Sequence, residues 1–247
     1  MILVRESPKT QMKGYCGFQK VVLFDIDHTL LTTSGLIRTA FKQTLLKLVG
    51  SAGCVDTFKM SGLTDPIIIR ELICSTPYRG AITKQIIEDG CSLYSEKIEQ
   101  LIGDFEVRPC LGAVNLLEKL RHDNSICLGL QTGNLYKVAI AKLHAAGIDP
   151  HWFPVGAFST DCIDRNKYYQ VIIRKVKIEF RVDLISENLV FIGDTPYDIL
   201  AAKAGNCRSI AVATGSYSIP QLKEYEPDKI FVDLEDIDQI SESIKKI

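Results

Sequence analysis

Two aspartates follow a short apolar run and are separated by one residue. Val21-Val22-Leu23-Phe24 precedes Asp25, Ile26 and Asp27. A continuous apolar run of this length is typical of a strand buried on both faces of a parallel sheet. Side chains alternate along a strand, so the two carboxylates would share one face if the extended backbone continues. Burying them together is costly, which favours a positive partner, and a divalent cation is the simplest one.

Two later apolar runs also end in polar residues. Thr132-Gly133-Asn134 follows the run at 125–131, and Gly193-Asp194 follows the run at 188–192, with Asp198 four residues after Asp194. The carboxyl ends of neighbouring strands meet at one edge of an open α/β sheet. We therefore expect these side chains to converge on Asp25 and to present hard oxygen ligands, which suit Mg²⁺.

The same edge would also carry groups that suit a phosphate. Thr132 supplies a hydroxyl beside backbone amides, and Arg165 or Lys167 supplies a positive charge after the next strand. Amides, hydroxyls and cations are the usual partners of phosphate oxygens. Plainer interpretations of the same residues are a helix cap for Thr132, a surface ion pair for Arg165 and a helix-dipole acid for Asp198.

Strands and helices alternate regularly after residue 110, which predicts a doubly wound parallel α/β sheet. The predicted strands are 21–24, 125–131, 155–158, 188–192, 209–213 and 229–232. The predicted helices in this part are 113–123, 135–146, 167–180, 199–204 and 236–247.

The segment between Thr33 and Cys110 shows helical periodicity only. Helices are predicted at 37–48, 65–75 and 82–103, and residues 31–35 are expected to form a polar turn. The sequence thus predicts an all-helical domain at 34–109, inserted into a core formed by 20–33 and 110–247. Residues 1–19 are expected to form an N-terminal extension.

Composition narrows the function classes. The 247 residues have a formal net charge of −1, which gives no basic footprint for nucleic acid or anionic lipid. No apolar run approaches the ~20 residues of a membrane span. The eight cysteines are scattered without a CxxC pair, which disfavours a zinc site and favours free thiols in a reducing, cytoplasmic location.

Four motifs in this order resemble those of the haloacid dehalogenase (HAD) superfamily, from Val21 to about Phe231. DxDx[TV] occurs as Asp25-Ile26-Asp27-His28-Thr29, the threonine after a strand as Thr132, and GDxxxD as Gly193-Asp194-Thr195-Pro196-Tyr197-Asp198. The basic third motif is assigned to Arg165. Each motif is weak alone, but four in order, each at a strand end or in the following loop, are specific.

Three further stretches resemble the phosphoglycolate-phosphatase-like branch. They are Thr132-Gly133-Asn134-Leu135, Ala157-Phe158 with Asp164-Arg165-Asn166, and Ala213-Thr214-Gly215. The helical insertion fits the C1 cap that such proteins carry after the first motif. Two positions depart from the family pattern: His28 stands where glycine is commonest, and Arg165 replaces a lysine-proline pair, so Lys167 is kept as an alternative.

The resemblance implies roles for these residues. Asp25 would attack phosphorus and form an aspartyl-phosphate, and Asp27 would act as general acid and then general base. Mg²⁺ would be held by Asp25, by the backbone carbonyl of Asp27 and by Asp194, and Asp198 would orient water or a cation around it.

A second set of residues would bind the substrate phosphate. The resemblance assigns Thr132, Gly133 and Asn134 to the phosphate oxygens, and Arg165 or Lys167 to the negative charge near Asp25. A carboxylate at position 27 favours phosphoryl transfer over dehalogenation, because a halide leaving group needs no proton.

The resemblance therefore implies a Mg²⁺-dependent phosphatase of a small phosphorylated metabolite, acting as a monomer or homodimer without nucleic acid or membrane. Phosphoglycolate leads by likeness alone; nucleoside monophosphates, sugar phosphates and pyrophosphate stay open. The alternatives are a phosphomutase and a non-catalytic phosphometabolite-binding protein. The loop at 60–65 is a candidate for substrate selection, and Lys59 or Arg70 could reach a substrate carboxylate, although solvated surface is the simpler interpretation of both.

Overall fold

A computed structural model describes residues 17–247. The strands are β1 (Lys20–Phe24), β2 (Leu31–Thr33), β3 (Val107–Pro109), β4 (Ile126–Gln131), β5 (Val155–Ala157), β6 (Leu189–Gly193), β7 (Arg208–Val212) and β8 (Lys229–Phe231). The α-helices are α1 (Leu36–Val49), α2 (Asp65–Cys74), α3 (Lys84–Leu101), α4 (Ala113–Arg121), α5 (Tyr136–Ala145), α6 (Tyr168–Phe180), α7 (Pro196–Ala204), α8 (Ile219–Lys223) and α9 (Ile237–Lys246).

Six strands form one parallel sheet in the order β5-β4-β1-β6-β7-β8. Phe24 at the end of β1 is in register with Leu130 on β4 and with Ile192 on β6. The carboxyl ends of these three central strands therefore lie side by side. The predicted α/β class and its parallel sheet are confirmed.

Both faces of the sheet are covered, as the apolar character of β1 requires. Val22 and Phe24 pack in a cluster with residues of α4, α5 and α9. Val21 and Leu23 pack on the opposite face with residues of α6 and α7. Every β1 side chain from Val21 to Phe24 is therefore fully buried.

Helices α1, α2 and α3 follow β2 in the chain and share an apolar cluster of their own. Phe41 of α1 stacks on Tyr94 of α3 with ring centroids 3.9 Å apart. Leu135 and Val138 join this cluster from the start of α5. Thus α5 contacts both the sheet and the inserted helices.

The expectation of a turn at 31–35 and of no strand between Thr33 and Cys110 was wrong. Residues 31–33 form β2, which pairs antiparallel with β3 at Val107–Pro109. Three-residue strands are too short to show a period of two, and their partner is far away in sequence. The short helix α8 was also missed, and α7 begins at Pro196 rather than at residue 199.

Of the extension expected at 1–19, residues 1–16 lie outside the described part of the chain. Phe18 is buried and packs edge-to-face on Phe180, with the ring centroids 5.6 Å apart. The seven cysteines within 17–247 are free thiols. No helix in that range is both long enough and apolar enough to cross a membrane.

Candidate active site

A cavity of about 840 Å³ lies between the carboxyl edge of the sheet and the inserted helices. It is lined by Asp25 after β1, Thr132 after β4 and Asp194 after β6. Asp27 and Arg165 also line it. The parallel register of the central strands brings these residues together, although up to 169 positions separate them in the chain (194 − 25).

Asp25, Asp194 and Asp198 form a buried carboxylate cluster, in which one oxygen of each lies within 4.8 Å of the others. Burial raises the pKa of Asp25 to about 7, with the nearby Asp198 adding to the shift and Arg165 opposing it. Burial also raises the pKa of Asp194 well above its usual range, and Asp198 and Asp25 contribute next. Carboxylates crowded in this way fit a divalent cation, which would relieve their repulsion.

The oxygens of Asp198 are already engaged. Oδ2 accepts hydrogen bonds from the backbone N–H (3.0 Å) and hydroxyl (2.6 Å) of Thr195, because Asp198 lies in the first turn of α7 and closes its capping box. Oδ1 accepts from Gln131 Nε2 at 2.8 Å and from Arg165. Asp25 and Asp194 are therefore the better candidates for direct metal ligands, and Asp198 lies behind them.

Arg165 occupies the basic position beside Asp25. Its Nη2 lies 3.8 Å from Asp25 Oδ1, donates to Asp198, and donates to Gln131 Oε1 at 2.7 Å. Burial would lower the pKa of Arg165, but the two carboxylates outweigh it and raise the value. Sequence reasoning missed Gln131, whose signal was a polar residue at the end of an otherwise apolar strand.

The structure does not bring Lys167 into the site. Its ammonium lies 3.8 Å from Asp164, its side chain is 61% exposed, and it is not among the residues that line the cavity. Residues 165–167 form a 3₁₀ turn, in which positions two apart point in different directions. Of the two basic candidates, Arg165 is the one whose side chain faces Asp25 and Asp198.

Asp27 lies at the same sheet edge but has different partners. Both of its oxygens accept from Lys142 Nζ at 2.9 Å, and Oδ2 also accepts from Asn134 Nδ2 at 2.7 Å. Burial alone would raise the pKa of Asp27, but Lys142 and Asn134 outweigh it and hold the pKa below its usual range. The Asp27 carboxylate therefore faces Lys142 rather than the carboxylate cluster.

Lys142 is a functional candidate that the sequence analysis missed. Its side chain is fully buried on α5, between Val138, Ala139 and Leu143 on the buried face of that helix. A single lysine in an apolar helical stripe was the available signal. Side chains of a helix lean toward its N-terminus, which carries the Lys142 ammonium back to the strand end.

In the loop after β4, where phosphate binding is expected, several polar groups are engaged in internal hydrogen bonds. Asn134 Nδ2 donates to Thr132 Oγ1 (2.7 Å) as well as to Asp27, and Asn134 Oδ1 accepts from Lys142, so its side chain has no free donor. Within residues 17–247, the Gly133 amide has no hydrogen-bond partner, and the Thr132 hydroxyl only accepts. Thr132 and Gly133 therefore fit a phosphate better than the Asn134 side chain does.

The loop at 60–65 closes over this edge. Asp65 N–H donates to Gly133 O at 2.8 Å, and Asp65 Oδ2 accepts from Leu135 N–H at 2.7 Å. Arg165 Nη1 also donates to Gly62 O at 3.2 Å. A Cβ at position 133 would overlap the carbonyl of Leu63, so only glycine permits this approach.

The remaining predicted residues divide by position. His28 and Lys59 line the cavity, and His28 adopts a left-handed conformation (φ 60°), which accounts for the glycine common at this position. Arg70 does not line the cavity, and its guanidinium donates to Glu71 instead.

Comparisons with known proteins agree with this arrangement. The family of haloacid dehalogenase-like hydrolases matches residues 22–212. PpaX, a proposed pyrophosphatase of Caldanaerobacter subterraneus subsp. tengcongensis, is 23% identical over 214 residues, which cover 86% of this chain and 90% of that protein.

Solved structures share the fold. A mutant of CbbY from Rhodobacter sphaeroides, in complex with xylulose-(1,5)bisphosphate, superposes with a TM-score of 0.70 at 20% identity over 89% of this chain and 96% of CbbY. A predicted phosphoglycolate phosphatase from Haemophilus somnus 129pt superposes with a TM-score of 0.66 at 20% identity, over 92% and 100% of the two chains. Because the family match covers more than half of its length, the chain belongs to the haloacid dehalogenase-like hydrolase family of enzymes.

Proposed function

We propose that this hydrolase cleaves a small phosphate monoester with Mg²⁺ and that Asp25 is transiently phosphorylated. The observation that carries the proposal is the position of Asp25. It is buried among carboxylates that fit a cation, lies 3.8 Å from Arg165, and lines the same cavity as Thr132. A nucleophile, a metal site and phosphate-binding groups are thus within reach of one bound phosphate.

Asp25 and Asp194 would hold the metal, and Thr29 supports this assignment by donating to Asp194 Oδ1 at 3.4 Å. When bound, Mg²⁺ would offset the repulsion between nucleophile and phosphate and neutralise charge in the transition state. Asp198 would not be a direct metal ligand; it would hold Arg165 against the nucleophile.

The residues of the chain then divide the chemistry. Asp25 attacks phosphorus while the protonated form of Asp27 gives its proton to the departing alkoxide, and the products are an aspartyl-phosphate, the Asp27 carboxylate and the free alcohol. Asp27 next takes a proton from water, which attacks the same phosphorus and releases inorganic phosphate and the Asp25 carboxylate. The Thr132 hydroxyl and the Gly133 amide bind the phosphoryl oxygens throughout.

The proposed substrate class rests on the size of the cavity and on the proteins to which this chain is similar. A cavity of about 840 Å³ has room for a phosphorylated sugar or a smaller ester. Of the structural relatives, CbbY has been solved with phosphate and with xylulose-(1,5)bisphosphate. Phosphoglycolate is supported only by likeness to the Haemophilus protein, and pyrophosphate only by likeness to PpaX.

We further propose that residues 34–109 act as a cap domain over a core of 20–33 and 110–247. The contacts of Gly62 and Asp65 with Arg165, Gly133 and Leu135 support this division. A closed cap would exclude water and large substrates. Free thiols support a reducing, cytoplasmic location, and we propose a monomer or homodimer.

The test combines substrate screening with trapping of the intermediate. A panel of phosphoglycolate, sugar phosphates, nucleoside monophosphates and pyrophosphate is assayed for kcat/KM with Mg²⁺, with EDTA, and with Mg²⁺ restored. Rapid acid quenching with a labelled substrate is expected to place the phosphoryl group on Asp25. A label on another residue, or activity indifferent to EDTA, would contradict the proposal.

A further inference from the structure

Lys142, Asp27 and Asn134 form a closed ring of hydrogen bonds at the cavity wall. Lys142 Nζ donates to both oxygens of Asp27 at 2.9 Å and to Asn134 Oδ1 at 2.6 Å. Asn134 Nδ2 closes the ring by donating to Asp27 Oδ2 at 2.7 Å. The three protons of the ammonium thus meet three acceptors, which leaves Lys142 no donor for a substrate.

This ring fixes the orientation of the Asp27 carboxylate. Two oxygens held by one ammonium determine the plane of the group, and the Asn134 bond determines its tilt. Both side chains line the cavity, but the Asp27 side chain keeps 26% of its surface exposed, whereas that of Lys142 is fully buried in the wall. Lys142 therefore holds Asp27 from within the cavity wall.

We propose that Lys142 is a positioning residue, which holds the side chain of Asp27 where its acid form can give a proton to the leaving group and its carboxylate can take one from water. The inference rests on the proposed phosphatase function and adds a residue that the four sequence motifs do not contain. Lys142 does not touch the substrate, because its three donors are occupied within the ring. It acts only through Asp27, and this makes its effect separable from that of a structural lysine.

Asp65 connects this ring to the inserted helices. Its carboxylate is buried at the start of α2 and accepts the N–H of Leu135, the residue after Asn134. Asp65 N–H binds Gly133 O on the other side of Asn134. The backbone of Asn134 is thereby anchored on both sides by one residue of α2, which stabilises the ring when the inserted helices are in place.

The experiment compares two aryl phosphates that differ in leaving group. Phenyl phosphate needs a general acid because phenolate is a poor leaving group, and dinitrophenyl phosphate does not. In Lys142→Met, kcat/KM for phenyl phosphate is expected to fall about 100-fold and that for dinitrophenyl phosphate about 3-fold or less. Lys175→Met is the matched control, because Lys175 also bonds a carbonyl and a carboxylate but does not line the cavity.

A second comparison remains informative if Lys142→Met alone does not fold. Asp27→Asn/Lys142→Met removes both charges of the ring, whereas Asp27→Asn removes only the negative one, and the two variants should have the same kcat/KM for phenyl phosphate because neither has a general acid at position 27. Three outcomes would overturn the inference. In Lys142→Met, kcat/KM could fall equally for both esters or not fall for phenyl phosphate. In the double variant, kcat/KM for phenyl phosphate could fall a further tenfold below that of Asp27→Asn. If the wild-type protein with Mg²⁺ hydrolyses neither ester, the phosphatase proposal fails and the inference fails with it.

Discussion

Asp25 and Asp27 are two residues apart at the end of the same strand, yet their surroundings are opposite. Asp25 faces Asp194 and Asp198, with Arg165 as the nearby cation, and its pKa is raised to about 7. Asp27 faces Lys142 and Asn134, and its pKa is held below the usual range in spite of burial.

The difference between Asp25 and Asp27 shows two ways in which a protein can accommodate a buried carboxyl group. The carboxylate cluster is short of positive charge, which is the condition under which a site takes up a cation. The Lys142 ring contains its own counter-ion, the Lys142 ammonium, and needs no added cation. One half of the cavity is thus built to bind a ligand, and the other half is built to hold a side chain still.

The largest expected effect is on the carboxylate cluster. Asp25→Asn should lower kcat by roughly 10⁴-fold or more for every substrate, whatever its leaving group, because the nucleophile itself is lost. The folded structure should survive, since the change removes one of three repelling charges. Steady-state kinetics on both aryl phosphates, with circular dichroism as the control for folding, make the measurement. Activity within tenfold of the wild type would contradict the assignment of the nucleophile.

The next prediction concerns Arg165, the cation beside the carboxylate cluster. Arg165→Met should lower kcat by about 10²- to 10³-fold, which is the usual loss for one preorganised donor in an active site. Lys167→Met is the matched control and should change kcat by less than about twofold, because Lys167 is exposed and paired with Asp164. The reverse ranking of the two variants would return the basic position to Lys167.

Loss of Lys142 should lower the free energy of unfolding more than loss of Lys175 does. Lys142→Met leaves Asp27 without its counter-ion, and we expect a loss of about 3 kcal/mol in the free energy of unfolding. Lys175→Met breaks a more exposed pair and should cost about 1 kcal/mol or less. Urea unfolding of the two variants measures the difference. Equal midpoints would show that Lys142 stabilises the fold no more than Lys175 does.

The two halves should also respond differently to pH and Mg²⁺. A raised pKa in the folded state means that Asp25 stabilises the metal-free protein below pH 4 and that this contribution is lost as the pH rises through about 7. Mg²⁺ at about 100 times its Kd should therefore raise Tm by about 5–10 °C at pH 8 and by much less at pH 5. Thermal scans with and without Mg²⁺ test this, and a Mg²⁺ effect that grows toward low pH would contradict it.

The smallest expected effect concerns substrate selection. Lys59 lines the cavity and has no ion-pair partner among residues 17–247, whereas Arg70 bonds Glu71 away from it. Lys59→Ala should raise KM by about fivefold or less for esters with a second anionic group, since an exposed charge is worth at most about 1 kcal/mol. Arg70→Ala should leave KM unchanged. An unchanged KM for Lys59→Ala would make both residues plain surface.

Much of the fold could be predicted because its signals are local. The apolar run before Asp25, the helical stripes of α1 and α3 and the proline at the start of α2 depend on neighbours within a few positions. The β2–β3 ribbon could not be predicted, because each strand has three residues and the pairing joins Leu31 to Pro109 across the whole helical insertion.

The sequence by itself determined the parallel α/β sheet, the order of its motifs and the acids and threonine that end its central strands, because strand period and motif spacing are properties of the chain. Only the tertiary structure decided how these side chains are paired. It turned Asp27 toward Lys142, used both oxygens of Asp198 on Thr195, Gln131 and Arg165, and pointed Lys167 into solvent. Such choices depend on side-chain direction and on contacts between residues far apart in the chain, which spacing alone does not encode.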